Sequence, residues 1–217
     1  MGSEERRQRE QQELKQRIVE TAREIARTEG WSNVTLRKIA DRIEYTHAAL
    51  YSYFANKEQL LLEVLREGFH LLATDLASSS KGAETPFVAF RRFVYAYWNF
   101  AWRHPELYRV MYGLDGISFG VTETWNEGAQ IGELAAGVVE GLLVDQGKPV
   151  EQIETKVFLF WSLLHGLIAL NMLGRIAGTP ETLAPFVEQA IHDMLAAWDM
   201  TGGPENADLR PGGSDIL

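Results

Sequence analysis

Residues 35–57 read Thr-Leu-Arg-Lys-Ile-Ala-Asp-Arg-Ile-Glu-Tyr-Thr-His-Ala-Ala-Leu-Tyr-Ser-Tyr-Phe-Ala-Asn-Lys. Thr35 is placed to cap a short helix whose apolar stripe is Leu36, Ile39, Ala40 and Ile43, and Thr46 to cap a second one. Two very short helices joined by a tight turn build little core of their own. They are well sized for the major groove of DNA, so the segment reads as a helix-turn-helix.

Upstream, Leu14, Ile18, Ala22, Ile25 and Ala26 form a stripe at helical spacing that Gly30 stops. Downstream, Asn56 and Gln59 suit a capping box for a longer helix carrying Leu60, Leu61, Val64, Leu65 and Leu72. After a Ser-rich joint at 78–82, proline marks helix starts at Pro86, Pro105, Pro149 and Pro180. Helices are thus expected near 86–103, 105–112, 121–146, 149–177 and 180–199, with no strand alternation. The fold class is all-α: a three-helix DNA-binding domain at 1–58, with 1–12 as a flexible arm, and a helical body at 59–199. Residues 200–217, rich in Gly and Pro, read as a disordered tail.

The 217 residues are 46% hydrophobic and 24% charged, values of a globular chain with a sizeable core. No cysteine is present, so thiol chemistry and disulfides are excluded. The polar N-terminus lacks the apolar stretch of a secretory signal. The most apolar run, 157–173, is broken by Ser162, His165, Gly166 and Asn171 and falls short of the roughly 20 residues of a membrane span, so a buried core helix is expected. These features imply a soluble cytoplasmic protein without a membrane partner. The net charge of −9 divides unevenly, +1 over residues 1–60 and −10 over the remainder. The acidic body would repel DNA everywhere except at the N-terminal unit.

The N-terminal residues of a second helix meet base edges, so His47, Ala48 and Ala49 are the outward candidates. Thr35, Tyr51, Ser52, Tyr53 and Lys57 carry hydroxyls or charge suited to phosphate oxygens. The competing account is a three-helix packing unit with solvated polar residues. Arg6, Arg7 and Arg9 suggest a minor-groove arm, but Glu4, Glu5 and Glu10 among them favour a solvated charge run.

The ordered set Gly30-Trp31, Thr35-x-Arg37-x-Ile39-Ala40 and Thr46-x-Ala48-x-Leu50-Tyr51-x-Tyr53-Phe54-x-Asn56-Lys57-Glu58-x-Leu60-Leu61 resembles the N-terminal signature of TetR-type transcriptional regulators. Trp161-x-x-x-His165-Gly166 resembles the tryptophan–histidine–glycine pattern of one class of TetR C-terminal domain. The resemblance implies a homodimer on a near-palindromic operator, controlled by a small molecule bound in the body. It further implies backbone contacts from Thr35, Arg37, Thr46, Tyr51 and Lys57, and base contacts from His47, Ala48, Ala49 and Tyr51. The sequence departs from the family at Ile43 and Glu44, where a small residue and Gly are usual. A non-Gly residue there puts the turn geometry in question.

In the helix expected at 149–177, Trp161, His165, Ile168 and Met172 fall on one side and Leu159, Leu163, Gly166, Leu170 and Gly174 on the other. The small-residue side suits a self-complementary dimer contact, completed by Ile191, Met194 and Trp198 of the next helix. The Trp/His side would face Tyr95, Trp98, Trp102, Met111 and Trp125, forming a cavity for an apolar or aromatic effector. Taken singly these aromatics read as plain core, and the family resemblance reverses that for the set. His165 alone could be a core histidine, a ligand contact or a catalytic base.

His47, His70, His104, His165 and His192 show no metal-ligand spacing, and no cofactor or nucleophile motif is present. The expectation is a non-enzymatic regulator, a repressor without cofactor, with coupling carried by the helix that starts at Asn56. The alternative is an all-helical carrier or enzyme whose N-terminal bundle is only structural.

Overall fold

The computed structural model describes residues 2–116, 119 and 121–200, with the side chains of residues 3 and 121–127 outside the described set. Among the described residues all regular structure is helical. The three N-terminal helices are α1 (Ser3–Glu29), α2 (Leu36–Ile43) and α3 (His47–Tyr51). The body comprises α4 (Lys57–Ser79), α5 (Pro86–Arg103), α6 (Pro105–Met111), α7 (Val121–Asp145), α8 (Ile153–Met172) and α9 (Pro180–Ala197).

The caps fall where the side chains dictate. Thr35 Oγ1 accepts from the Lys38 amide at 3.1 Å, Thr46 Oγ1 from Ala49 at 3.2 Å, and Asn56 Oδ1 from Gln59 at 2.9 Å. Gln59 reaches back to the Ala55 amide, one residue earlier than a capping box requires. Thr85 caps α5 at Val88, with Pro86 in the first helical position.

Residues 3–12 are not a flexible arm: they continue α1 as a regular helix. Glu4 and Glu5 favour its first turn through the helix dipole, and Arg6 pairs with Glu10 one turn on. The side chains from Glu4 to Glu13 are exposed, and burial begins as the Ile18, Ala22, Ile25 stripe meets α2 and α4.

The turn between α2 and α3 is kept despite its sequence. Glu44 itself adopts the left-handed conformation (φ 60°, ψ 41°), and the Tyr45 amide bonds the Ala40 carbonyl at 3.0 Å. The backbone takes the shape that glycine would allow, at a cost of about 1 kcal/mol.

Two helix lengths differ from expectation. α8 begins at Ile153, not at Pro149, because Gln152 sits left-handed immediately before it. It ends at Met172, because Gly174 (φ 67°) closes it: the Gly174 amide bonds Asn171 O and the Arg175 amide bonds Leu170 O, each at 2.8 Å. Gly174 therefore terminates the helix and does not contribute to a helical face. The expected tail lies, beyond Met200, outside the described residues.

Within the body α4 packs on α5, α6 and α7, while α8 leans on α7, α5 and α9. The approach of α4 to α6 is close. A methyl group at Gly68 would stand 2.6 Å from Met111 Sδ. The N-terminal unit is joined to the body covalently through α4 and by packing of α1 on α4 and α6.

Candidate DNA-reading face and ligand cavity

On the N-terminal unit, burial of Leu36, Ile39, Ala40, Ile43 and Leu50 fixes which residues face outward. Thr35, Arg37, Thr46, His47, Ala48, Tyr51 and Ser52 are exposed, Ala49 and Tyr53 are half-buried, and Tyr51 is 57% exposed. His47 Nε2 lies 2.9 Å from Asp41 Oδ1, so the imidazole is held across the turn by the preceding helix. The Ser52 hydroxyl is turned inward, donating to Ala49 O at 2.6 Å.

Lys57 is placed differently from a free phosphate ligand. Its ammonium donates to the Trp31 carbonyl at 2.5 Å and to Ser32 O at 3.5 Å, tying α4 to the turn after α1. Partial burial holds its pKa below the usual lysine range. Nearby, Glu29 is kept ionised by the hydrogen bond from Lys38 and the charges of Lys38 and Arg42. Among the described residues Arg37 has no ion-pair partner. Tyr45, 42% exposed beside the α3 cap, also belongs to this face. Its position in the turn was the available signal for it.

The body encloses a cavity of about 810 Å³ between α4, α5, α6, α7 and α8. From α5 it is lined by Phe90, Phe93, Val94 and Tyr97, a stripe at i, i+3, i+4 and i+7. Phe69 and Met111 close it from α4 and α6, Ile131 and Val139 from α7, and Val157, Phe158, Trp161 and Leu164 from α8. Tyr112 adds a phenol, and among the described residues Glu133 and Glu154 are the charged ones in the lining.

Of the expected ligand contacts, Met111 and Trp161 line this cavity. Tyr95 is turned away by about 200° from Tyr97 around α5. Its hydroxyl donates to Glu188 of α9, and burial together with that carboxylate pushes the phenol pKa up. Trp98 is 1% exposed and packs edge-on against Trp102 at 5.5 Å, on the core side of the same helix. Ile168 is buried in the core, and Met172 lies at the end of α8, its carbonyl accepting from Arg109 at 2.6 Å. The Trp125 side chain lies outside the described residues. Counting aromatics selected the right helix and the wrong face; the Phe90, Phe93, Val94, Tyr97 stripe was the signal that finds it.

His165 stands one layer behind the lining. Trp161 Nε1 donates to Tyr97 Oη at 2.9 Å, Tyr97 Oη meets Tyr108 Oη at 2.9 Å, and Tyr108 Oη meets His165 Nδ1 at 2.7 Å. Burial lowers the His165 pKa and raises those of Tyr97, Tyr108 and Tyr112, so this chain is uncharged at neutral pH. The imidazole is further held by stacking on Trp161 at 5.4 Å and by the Tyr112 ring at 4.8 Å.

α6 faces the cavity on one side and the N-terminal unit on the other. Arg23 of α1 places Nη2 3.1 Å from Glu106 Oε1 of α6, and Nη1 2.5 Å from Glu67 Oε1 of α4. The Trp31 indole donates to the Glu106 carbonyl at 2.8 Å. One to five residues along α6, Leu107 and Met111 carry the same helix into the cavity wall and its packing.

α8 is apolar on two faces, as expected, but buries only the one carrying Phe160, Leu164 and Ile168. Leu159, Leu163 and Leu170 on the other face are 54%, 41% and 46% exposed, and a methyl group at Gly166 would meet nothing within 4 Å. The helix is thus not the fully buried core element its composition suggested, and by length and hydropathy it would pass for a membrane span. In α9 the expected dimer residues are turned inward. Ile191 is buried, Met194 is packed against the core, and Trp198 sets its ring against Phe90 at 6.1 Å. Phe186, 61% exposed, is the large apolar residue on the outer face of α9.

Residues 18–64 match the family model of bacterial regulatory proteins of the tetR family, and residues 90–194 match that of the tetracyclin repressor-like C-terminal domain. The HTH-type transcriptional repressor KstR of Mycobacterium tuberculosis is 32% identical over 77 residues, which are 36% of this chain and 35% of KstR. The chain thus matches about a third of the length of this curated relative. Three solved structures share the fold. A bacterial regulatory protein in the tetR family from Rhodococcus RHA1 has a TM-score of 0.63 at 19% identity, over 88% of this chain and 98% of that one. PfmR, a TetR family transcriptional regulator from Thermus thermophilus, has 0.62 at 20%, over 81% and 97%. The fatty acid degradation regulator FadR from Bacillus halodurans has 0.66 at 14%, over 81% and 92%. With both halves of the family architecture present in order, the chain belongs to the TetR family of transcriptional regulators.

Proposed function

We propose that this protein is a cytoplasmic, ligand-responsive repressor that binds a near-palindromic operator as a homodimer and is released by a small apolar or aromatic effector. The observation that carries this reading is the position of α6, which borders the cavity through Met111 and holds Arg23 of the N-terminal unit through Glu106. An effector with different affinity for two placements of α6 would shift the population between DNA-competent and incompetent dimers. Repression, not activation, is the sense suggested by the name of KstR.

The DNA contacts are divided by chemistry. Thr35, Arg37, Thr46 and Tyr51 meet phosphates, while His47, Ala48 and Ala49 meet base edges. Lys57 acts chiefly by holding α4 against the Trp31 turn, and Ser52 and Tyr53 support α3. The exposed Leu159, Leu163 and Leu170 face of α8, with Phe186 of α9, pairs with its symmetry mate. This use accounts for an apolar helix that has one face packed in the body and the other in solvent.

Selection from a pool of random duplexes tests the reading. Recovery of a palindrome at moderate salt supports it. Absence of any selected sequence would favour the carrier alternative, in which the N-terminal unit is only structural.

A further inference from the structure

The cavity also restricts the charge of what it binds. From Val110 through Gly147 the chain contains no Lys, Arg or His, yet it carries six carboxylates, among them Glu133 of the lining. Among the described residues Glu154 is the other charged one in the lining. Two nearby arginines are engaged elsewhere. Arg91 pairs with Glu188, and Arg109 with Asp115 and the Met172 carbonyl. An anion entering here would lose its water and find no counter-charge among the described lining residues. A cation is scarcely better served, because Glu133 and Glu154 are exposed and solvent screens them.

What the inner wall does offer is flat aromatic surface and two neighbouring phenols, Tyr97 and Tyr112. Tyr97 lines the cavity, and its Oη accepts from Trp161 Nε1, which can only donate. The remaining chain to Tyr108 and His165 can run in either direction. In one, Tyr97 donates to Tyr108 and Tyr108 to His165 Nδ1. In the other, His165 Nδ1–H donates to Tyr108 and Tyr108 to Tyr97, which frees the Tyr97 proton for a cavity ligand in competition with the adjoining Tyr112 hydroxyl. The switch needs two hydroxyl rotations and the other tautomer of a neutral imidazole. Nε2 gives one proton to water and Nδ1 takes one up from water, with no net change of charge.

We infer that the effector is an uncharged ring-bearing molecule with one hydrogen-bond-accepting oxygen, and that the Tyr97 hydroxyl donates to that oxygen. The inference rests on the effector reading above and narrows it to a chemical class. Neutral aromatic or alicyclic ketones fit it; carboxylic acids and amines do not.

Four fluorescent probes of one shape separate the possibilities on the full-length protein: 1-acetylpyrene, 1-ethylpyrene, 1-pyrenecarboxylate and 1-pyrenemethylammonium. Acetylpyrene is expected to bind about tenfold more tightly than ethylpyrene, the worth of one hydrogen bond. Both charged probes should bind at least about a hundredfold more weakly than acetylpyrene. Tyr97→Phe should erase the acetyl-over-ethyl preference while leaving ethylpyrene affinity intact, which also reports an undamaged cavity. Equal affinity for the carboxylate or the ammonium probe would overturn the inference. So would an acetyl preference that survives Tyr97→Phe. Operator affinity, followed in the same samples, is a separate readout. Acetylpyrene bound through Tyr97 with no change in operator affinity would overturn the effector reading and leave the ligand class standing.

Discussion

Arg23 and Glu106, 83 residues apart in sequence, join α1 to α6 through a guanidinium–carboxylate contact of 3.1 Å in which the Glu106 side chain is 4% exposed. Truncating one partner leaves the other buried and uncompensated, at a cost of about 3 kcal/mol. Arg23→Met should therefore lower stability by about that amount in a urea titration. On the proposed coupling through α6, it should also reduce the factor by which a bound ligand changes operator affinity, because one of the links from α6 to the N-terminal unit is cut. An unchanged ligand response in a folded Arg23→Met protein would remove this pair from the coupling route.

Glu44 holds a left-handed backbone that glycine adopts freely. Glu44→Gly is expected to raise stability by about 1 kcal/mol, measured by the same titration, without changing the selected operator. A loss of stability would mean that the Glu44 side chain contributes something its exposure conceals.

His47 and Arg37 should fail differently. His47→Ala is expected to change the sequence recovered in selection, since it removes the proposed base-edge contact of an imidazole oriented by Asp41. Arg37→Ala should weaken binding to all sequences and lower the salt slope by about 1. An unchanged selected site for His47→Ala would show that the reading register of α3 is displaced.

Protonation supplies a fourth test. Burial lowers the pKa of His165 and of His104 below the ordinary value of 6.5. Below that value the unfolded chain takes up protons that the folded protein refuses, so stability is full above pH 6.5 and falls as pH drops through it. Thermal melts between pH 7.5 and pH 5.5 should show the decline, and His165→Asn should reduce it. A flat profile over that range would contradict the neutral imidazole at the end of the Tyr97–Tyr108 chain.

Leu163, 41% exposed on α8, probes the proposed subunit contact. Leu163→Glu would set like charges opposite each other in a self-complementary interface and should yield a monomer by sedimentation, with operator affinity lowered as the second reading head is lost.

The parts of the structure legible in the sequence were those set by local chemistry. Thr35, Thr46, Asn56 and Thr85 each cap where their side-chain oxygens meet an unpaired amide, and Pro86 opens α5. What local chemistry leaves open is which neighbour takes each apolar face. Tyr95, Trp98 and Trp102 share α5 with the cavity residues but point to α9 and to the core. Ile191 and Trp198 have the composition of an interface and are used inside their own subunit. The helical state of residues 3–12 was missed for a related reason. A charge-rich segment with no apolar stripe looks unstructured, although the helix behind it supplies the nucleus from which it propagates.

Phe158 lines the cavity and is also 62% exposed on the face that α8 turns outward. In the proposed dimer, a second subunit seated on α8 would press on the same ring that a bound effector would touch. Pairing and occupancy then exchange free energy without passing through the reading heads. By reciprocity, whatever factor a ligand adds to or takes from the affinity between subunits, the partner adds to or takes from the affinity for the ligand. The response of such a protein to its effector would then depend on its own concentration.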